Sequence, residues 1–287
     1  MKSVTFESEG RVAAGVLDGA TIGVVEEGET ARDAVHRAVA DGAIASWPGR
    51  ASRSTPLAEV RLLAPIPEPR GVIWCVGKNY RAHAKEFHGS GFDSTGKEAV
   101  PEVPIVFTKP PTSVVGPGET VRASLDPTGT VDYEGELGVV IGRRAFGVPA
   151  SEALDHVAGY VTMNDVTSRE LQRRHGQWVI GKGLDSFCPM GPWLATPDEV
   201  GDLSALRLET HVNGELRQAA SVADLIFDVP TLIETLSATM TLRPGDIIAT
   251  GTPEGVGIGF DPPRYLAPGD VVSVAITGLG TLENPIG

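Results

Sequence analysis

The chain has 287 residues, 41% of them hydrophobic and 21% charged, with a formal net charge of −13. Such a length holds one large globular unit or two unequal ones, and the balance is not that of a disordered chain. The acidic surplus argues against nucleic acid and anionic lipid as partners, because both are held by basic surfaces.

The N-terminus, "MKSVTFESEGRVAAGVLDG", lacks the unbroken apolar stretch of a signal peptide. No run reaches the roughly 20 apolar residues that span a membrane. A cytoplasmic location is therefore expected, with no membrane partner. "SVTFES", "VAAGVLDG" and "TIGVVEE" read as short strands, and "ARDAVHRAVADGA" spaces its apolar residues as one amphipathic helix. After the Pro- and Arg-rich "SRSTPLAEVRLLAPIPEPRG" the texture changes, which predicts a small N-terminal α+β domain over 1–67 and a larger domain over 68–287.

The larger part is mostly short β runs between Gly/Pro turns: "GVIWCVG", "PIVFTK", "VDYEGELGVVIG", "VAGYVTMND", "LRLETHVNG", "DIIATG" and "DVVSVAITGLGTLENPI". Helices are expected at "YRAHAKEF", "SRELQRR" and "VADLIFDVPTLIETLSATM", and a flexible loop at "GKEAVPEVP", 96–104, just after "HGSGFDSTG". The pattern is all-β or β-rich α+β, folded on itself to hide its edges. Cys75 and Cys188 stand far apart among apolar residues, at a spacing that suits neither zinc nor a redox motif, so two buried reduced thiols are expected.

Within "VDYEGELGVVIG" three acids alternate, and alternation in a strand places Asp132, Glu134 and Glu136 on one face. Either water screens them on a solvated face, or a cation between Glu134 and Glu136 turns repulsion into coordination. Asp165 ends "VAGYVTMND" where it can cap the next helix, and Asp165, Arg169 and Gln172 at i, i+4 and i+7 share a helical face. That row can bind a metal and then an acidic substrate, or simply face solvent.

His83 and Glu86, at i and i+3, are a surface ion pair or a base for activating water. Lys182, between two glycines in "WVIGKGLDSF", and Lys109, ending "PIVFTK", are lysines in apolar surroundings that need a partner or a task unless they snorkel. In "GDIIATGTPEGVGIG", Gly251 and Thr252 offer an N–H and a hydroxyl to an oxyanion, or form an ordinary turn. There is no P-loop and no G-x-S-x-G elbow. Three carboxylates (Glu134, Glu136, Asp165) without a nearby Cys or His call for a hard divalent ion: Mg²⁺, Mn²⁺ or Ca²⁺ before zinc.

Together, "CVGKNYRAHAKE", "PIVFTKP", "VDYEGELGVVIG", "VAGYVTMNDVTSRELQ", "GKGLDSFCPMGPW" and "GDIIATGTPEGVG" resemble the fumarylacetoacetate hydrolase superfamily in order and spacing, over residues 70–287. "VGKNYRAH" stands where the tyrosine-degradation hydrolase has a "DYTDF"-type motif, so the resemblance is to the shorter bacterial acylpyruvate hydrolase-like branch. It implies a mixed β-roll catalytic fold and a homodimer. It places the metal ligands on Glu134, Glu136 and Asp165, leaves Asp132 outside them, and puts the lid-helix pair on His83 and Glu86 and the active-site lysine on Lys182. Tyr80, Lys109, Arg169, Gln172, Gly251 and Thr252 match substrate-holding positions.

The activity this implies is Mg²⁺- or Mn²⁺-dependent hydrolysis of a C–C bond in an acylpyruvate such as fumarylpyruvate, giving pyruvate and a carboxylic acid. His83 and Glu86 would deliver water to the distal carbonyl, and the metal and Lys182 would steady the enolate. The alternatives are decarboxylation of an oxaloacetate-like keto acid, isomerisation of a 2-hydroxy-diene-dioate, and, more remotely, a non-catalytic binder of metal and dicarboxylate. Catabolism of aromatic compounds is the context that the resemblance implies.

Overall fold

The computed structural model describes residues 1–92 and 99–287. The loop expected over 96–104 therefore lies partly outside the described residues. Near the N-terminus come β1 (Lys2–Ser8), β2 (Arg11–Asp18), β3 (Thr21–Glu27), helix α1 (Ala34–Ala40), β4 (Arg53–Pro56) and β5 (Arg61–Leu62). Next come β6 (Ile73–Gly77), α2 (Arg81–Gly89), β7 (Ile105–Lys109), β8 (Val114–Val115), β9 (Val131–Asp132), β10 (Gly135–Ile141), β11 (Val157–Asn164) and β12 (Thr167–Ser168). They are followed by α3 (Arg169–His175), α4 (Val179–Lys182), β13 (Cys188–Ala195) and α5 (Pro197–Val200). The rest is β14 (Arg207–Val212), β15 (Glu215–Ser221), α6 (Val229–Ser237), β16 (Ile247–Ala249), β17 (Val271–Ile276) and β18 (Gly280–Pro285).

The fold is strand-rich α+β, as expected. A twelve-stranded sheet runs β4-β3-β2-β1-β13-β11-β10-β16-β6-β7, with β5 on β1 and β8 on β13. Strand β1 pairs with β13 through Lys2↔Ala195 and Ser3↔Leu194, so the N-terminal meander continues the large sheet. A second sheet, β15-β14-β17-β18, packs across β10 and β11.

Strand β10 is buried along its whole length because both faces are covered. Val140 joins α1 residues Val35 and Val39 in one apolar cluster, whereas Leu137, Val139 and Ile141 pack with Leu232, Ile233 and Leu236 of α6 in another. The register then decides what gathers at one end of the sheet. Gly135 pairs with Asn164, Gly138 with Ala249, and Ala249 with Cys75. The start of β10 and the ends of β6, β11 and β16 therefore lie side by side.

Several boundaries differ from the sequence reading. "VDYEGELGVVIG" is interrupted at Tyr133–Glu134, because β9 pairs with β12 whereas β10 pairs with β11 and β16. The helix expected over 222–240 is shortened to α6, whose cap Asp228 accepts the Thr231 N–H at 2.9 Å, with Pro230 in the first turn. Strand β13 was hidden by Pro189, Gly191 and Pro192, which read as breakers, yet it pairs with β1 and β11 in the middle of the sheet. Among the described residues no helix is long and apolar enough to cross a membrane.

Cys75 and Cys188 are buried, unpaired thiols. Burial and the nearby Asp165 push the Cys75 thiol well up, and burial pushes Cys188 up to about 12 in spite of Lys109. Near neutral pH neither is expected to react with an aromatic disulfide reagent in the folded protein, and both of the 2 thiols are expected to react after denaturation. Rapid labelling of the native chain would contradict this packing.

Candidate active site

Two backbone contacts set the acids against one another. The Glu134 N–H donates to Asn164 Oδ1 at 2.9 Å, and the Asp165 N–H donates to the Glu134 carbonyl at 2.8 Å. Glu134, Glu136 and Asp165 each bring a carboxylate oxygen within 4.8 Å of the others. They are 5%, 1% and 2% exposed, and Asp132 is fully buried, so the solvated-face reading is overturned. Protein cations and amides, not water, compensate these charges.

Lys182 Nζ donates to Glu134 Oε2 at 2.9 Å, Asp165 Oδ2 at 2.7 Å and Thr167 Oγ1 at 2.8 Å. Lys109 Nζ donates to Asp165 Oδ1 at 2.5 Å and to the Val166 carbonyl at 3.0 Å. Arg169 Nη1 lies 2.6 Å from Glu134 Oε1. Burial alone would raise the Glu134 carboxyl, but Lys182 and Arg169 outweigh it and hold it down to about 2. Burial would likewise lower the Lys182 ammonium, yet Asp165 and Glu134 keep it above its ordinary value and charged.

Glu136 differs. It accepts the Gly251 N–H at 2.8 Å and forms no ion pair among the described residues. Burial and the carboxylates of Asp165 and Glu134 push it well above the carboxylate range. A buried site with three converging carboxylates and negative charge in excess fits a hard divalent cation with oxygen ligands. Glu134, Glu136 and Asp165 are the residues that would hold it.

A narrow cleft opens beside the triad, lined by His83, Phe87, Arg169, Gln172, Trp178 and Thr252 among others. His83, at 4% exposure, turns Nδ1 to Glu86 Oε2 at 3.2 Å, and Glu86 Oε1 accepts the Gly255 N–H at 3.0 Å. This is a docked, shielded pair and not a surface one. Phe87 and Phe107 meet the Trp178 ring edge-on, giving the cleft an apolar wall. Arg169 Nε donates to Asp132 Oδ2 at 2.8 Å and Nη1 approaches Gln172 Oε1 at 3.3 Å, while Nη2 is buried with no hydrogen-bond partner among the described residues.

Most of the expected residues therefore meet, with five corrections. Asp165 caps no helix: it precedes β12, and Ser168 is the residue before α3. Arg169 and Gln172 form a buried face of α3, each 1% exposed, and not a solvated one. Lys109 neither snorkels nor lines the cleft, because Asp165 takes its ammonium. Tyr80 is buried beside Leu225 and lines a neighbouring hollow with Arg81 and Glu254. Gly251 reaches the site only as the N–H on Glu136. Lys78, by contrast, lines the cleft at 3% exposure and escaped the sequence reading. Its φ of 57° is left-handed backbone, and the next residue, Asn79, is anchored by donating from Nδ2 to the Phe227 and Thr250 carbonyls. The one signal was a charged residue directly after a strand in "GKNY".

Residues 72–287 match the model of the fumarylacetoacetate (FAA) hydrolase C-terminal family, and residues 1–65 match that of the Rv2993c-like N-terminal family. The chain belongs to the fumarylacetoacetate hydrolase family. Members of this family are enzymes that act on small molecules. The chain is 52% identical over 232 residues to the oxaloacetate tautomerase YisK of Bacillus subtilis, covering 80% of this chain and 74% of that one. The fumarylacetoacetate hydrolase of Exiguobacterium antarcticum superposes with a TM-score of 0.85 at 39% identity, over 100% of this chain and 99% of the other. Maleylpyruvate hydrolase of Sphingobium sp. SYK-6, solved with manganese(II) and pyruvate, gives a TM-score of 0.77 at 32% identity, over 100% and 98%.

Because the folded state raises Glu136, this group favours the metal-free protein most below its ordinary value, and that contribution is lost as pH rises towards the folded one. Divalent binding must displace this proton, so affinity for Mg²⁺ or Mn²⁺ is expected to increase with pH. Glu136→Gln removes the repelled charge. It is expected to melt higher than the metal-free parent near neutral pH and to gain no further stability from Mn²⁺. Thermal melts with EDTA and with Mn²⁺ check this, and a variant that still gains stability from Mn²⁺ would place the ion elsewhere.

Proposed function

We propose that the chain is a Mg²⁺- or Mn²⁺-dependent enzyme of short 2-keto acids that moves a proton at the carbon beside the keto group, interconverting the keto and enol forms of an oxaloacetate-like substrate. The observation that carries this reading is that His83, paired through Nδ1 with Glu86, lines the same cleft as Glu134 of a carboxylate triad that can hold a metal. The likeness to oxaloacetate tautomerase YisK supports it. Assembly as a homodimer and a cytoplasmic location belong to the same proposal.

A divalent ion held by Glu134, Glu136 and Asp165 would polarise the keto oxygen as a Lewis acid. Arg169 Nη2, without a hydrogen-bond partner among the described residues, is placed to bind the substrate carboxylate. Gln172 assists: its Oε1 is turned to Arg169, which leaves the amide NH₂ to donate. Thr252 Oγ1 accepts from Gln218 Nε2 at 2.8 Å, so its own proton is available to an oxygen in the cleft. Lys182 has all three N–H groups engaged and acts as a fixed charge, neither giving nor taking a proton. His83, with Nδ1 on Glu86, presents Nε2 as the base, and the carboxylate steadies the imidazolium that forms.

Hydrolysis of an acylpyruvate is the second reading, and the same pair favours it. An imidazole oriented by a carboxylate can deprotonate a water aimed at the distal carbonyl, releasing pyruvate and a carboxylic acid. Decarboxylation and diene-dioate isomerisation would share the enolate. The test follows loss of enol-oxaloacetate absorbance, and pyruvate release from an acylpyruvate and from oxaloacetate, with EDTA and with Mn²⁺. Metal-dependent ketonisation without pyruvate release is the expected result, with His83→Ala lowering kcat/KM by about 10²–10⁴-fold. Pyruvate release from the diketo acid would instead establish the hydrolase, and release from oxaloacetate alone a decarboxylase. A His83→Ala enzyme with full activity would remove the pair from either mechanism.

A further inference from the structure

Asp132 is fully buried and has no part in the chemistry described so far. Its carboxylate receives four donors. Oδ1 accepts the Tyr133 N–H at 2.9 Å and the Gly257 N–H at 2.6 Å, and Oδ2 accepts the Ile258 N–H at 3.0 Å and Arg169 Nε at 2.8 Å. The donors come from the end of β9, from α3 and from the Gly-rich loop after β16. A Cβ on Gly257 would lie 2.6 Å from Oδ1, so the loop backbone comes closer than any side chain allows.

Carboxylates hold that loop at three points. Glu136 takes the Gly251 N–H, Glu86 the Gly255 N–H, and Asp132 those of Gly257 and Ile258. The triad, the base pair and Arg169 are thereby tied to one segment. A planar guanidinium with Nε on one carboxylate and Nη1 on another has its plane fixed, and the direction of Nη2 with it.

We infer that Asp132 is a positioning residue: it acts through Arg169, orienting the guanidinium so that Nη2 meets the substrate carboxylate, and locks the 251–258 loop to that orientation. The identity of the group that Nη2 binds rests on the keto-acid reading, and the tie between loop and Arg169 does not. Asn cannot replace Asp132, because either flip of its amide turns an NH₂ towards donors already pointing at it.

The test uses the full-length Asp132→Asn protein with Mn²⁺, and oxalate as a planar, unreactive mimic of a 2-keto acid enolate. Oxalate affinity, by calorimetry, is expected to fall by about tenfold or more, the loss of one charge-assisted contact. Mn²⁺ affinity, by electron paramagnetic resonance, is expected to stay near that of the parent. Amide hydrogen exchange in 255–260 is expected to quicken. In an Arg169→Gln background, Asp132→Asn should cost no further oxalate affinity. Additive losses, or equal loss of Mn²⁺ and oxalate, would overturn the positioning role, and unchanged exchange would overturn the tie. If Asp132→Asn does not fold, Gly257→Ala, which forces the loop off Oδ1 with the charge retained, is expected to weaken oxalate in the same way, and intact binding there overturns the inference. A parent protein that binds Mn²⁺ but no oxalate counts against the keto-acid reading, and the exchange measurement then decides the tie by itself.

Discussion

Four carboxylates, Asp132, Glu134, Glu136 and Asp165, are sealed from water at one end of the large sheet, against the three buried cations that form ion pairs with them among the described residues, Lys109, Arg169 and Lys182. Four minus three leaves one negative charge in excess, and it falls on Glu136, whose carboxyl is pushed up accordingly. Stripping one partner from a buried ion pair costs about 3–5 kcal/mol, so the network stands or falls together. Helix α4 carries Lys182, α3 carries Arg169 and the end of β7 carries Lys109, each delivered to a different oxygen. A divalent cation converts the excess from a liability into a binding site.

The architecture around this cluster supplies rigidity at short range. Burial on both faces leaves β10 no freedom to shift register, and a one-residue slip would send Glu136 to the opposite face. The loop after β16 carries few side chains of its own into the site. It contributes N–H groups, each paired to an acid from another element, and Tyr133 Oη holds the Gly255 carbonyl at 2.8 Å. Gln218 does the same from the second sheet, accepting the Gly135 N–H at 3.0 Å and donating to Thr252 and the Pro253 carbonyl.

Within the fumarylacetoacetate hydrolase family this arrangement suits reactions that share an enolate and differ in what meets it. Under the proposed function, proton transfer and water attack would both begin at the imidazole of His83 held by Glu86. Phe87 and Trp178 line the cleft with apolar rings, and Phe107 backs Trp178.

The chain order of acids, lysines and Gly-rich turns determined a good deal by itself. Short β runs between turns, the alternation of Glu134 and Glu136, the His83–Glu86 spacing and the family motifs were all local patterns, legible because strand and helix periodicities are local. Strand β13 was not, since its proline and glycine residues are poor strand formers and only pairing with β1 and β11 makes them a strand. Nor was the company each charge keeps. Whether Asp165 caps a helix or shares oxygens with Lys109 and Lys182, and whether Asp132 meets water or Arg169, depends on contacts between residues 17 to 125 positions apart. Buried charges choose partners by three-dimensional distance in a low dielectric, and no one-dimensional spacing encodes that.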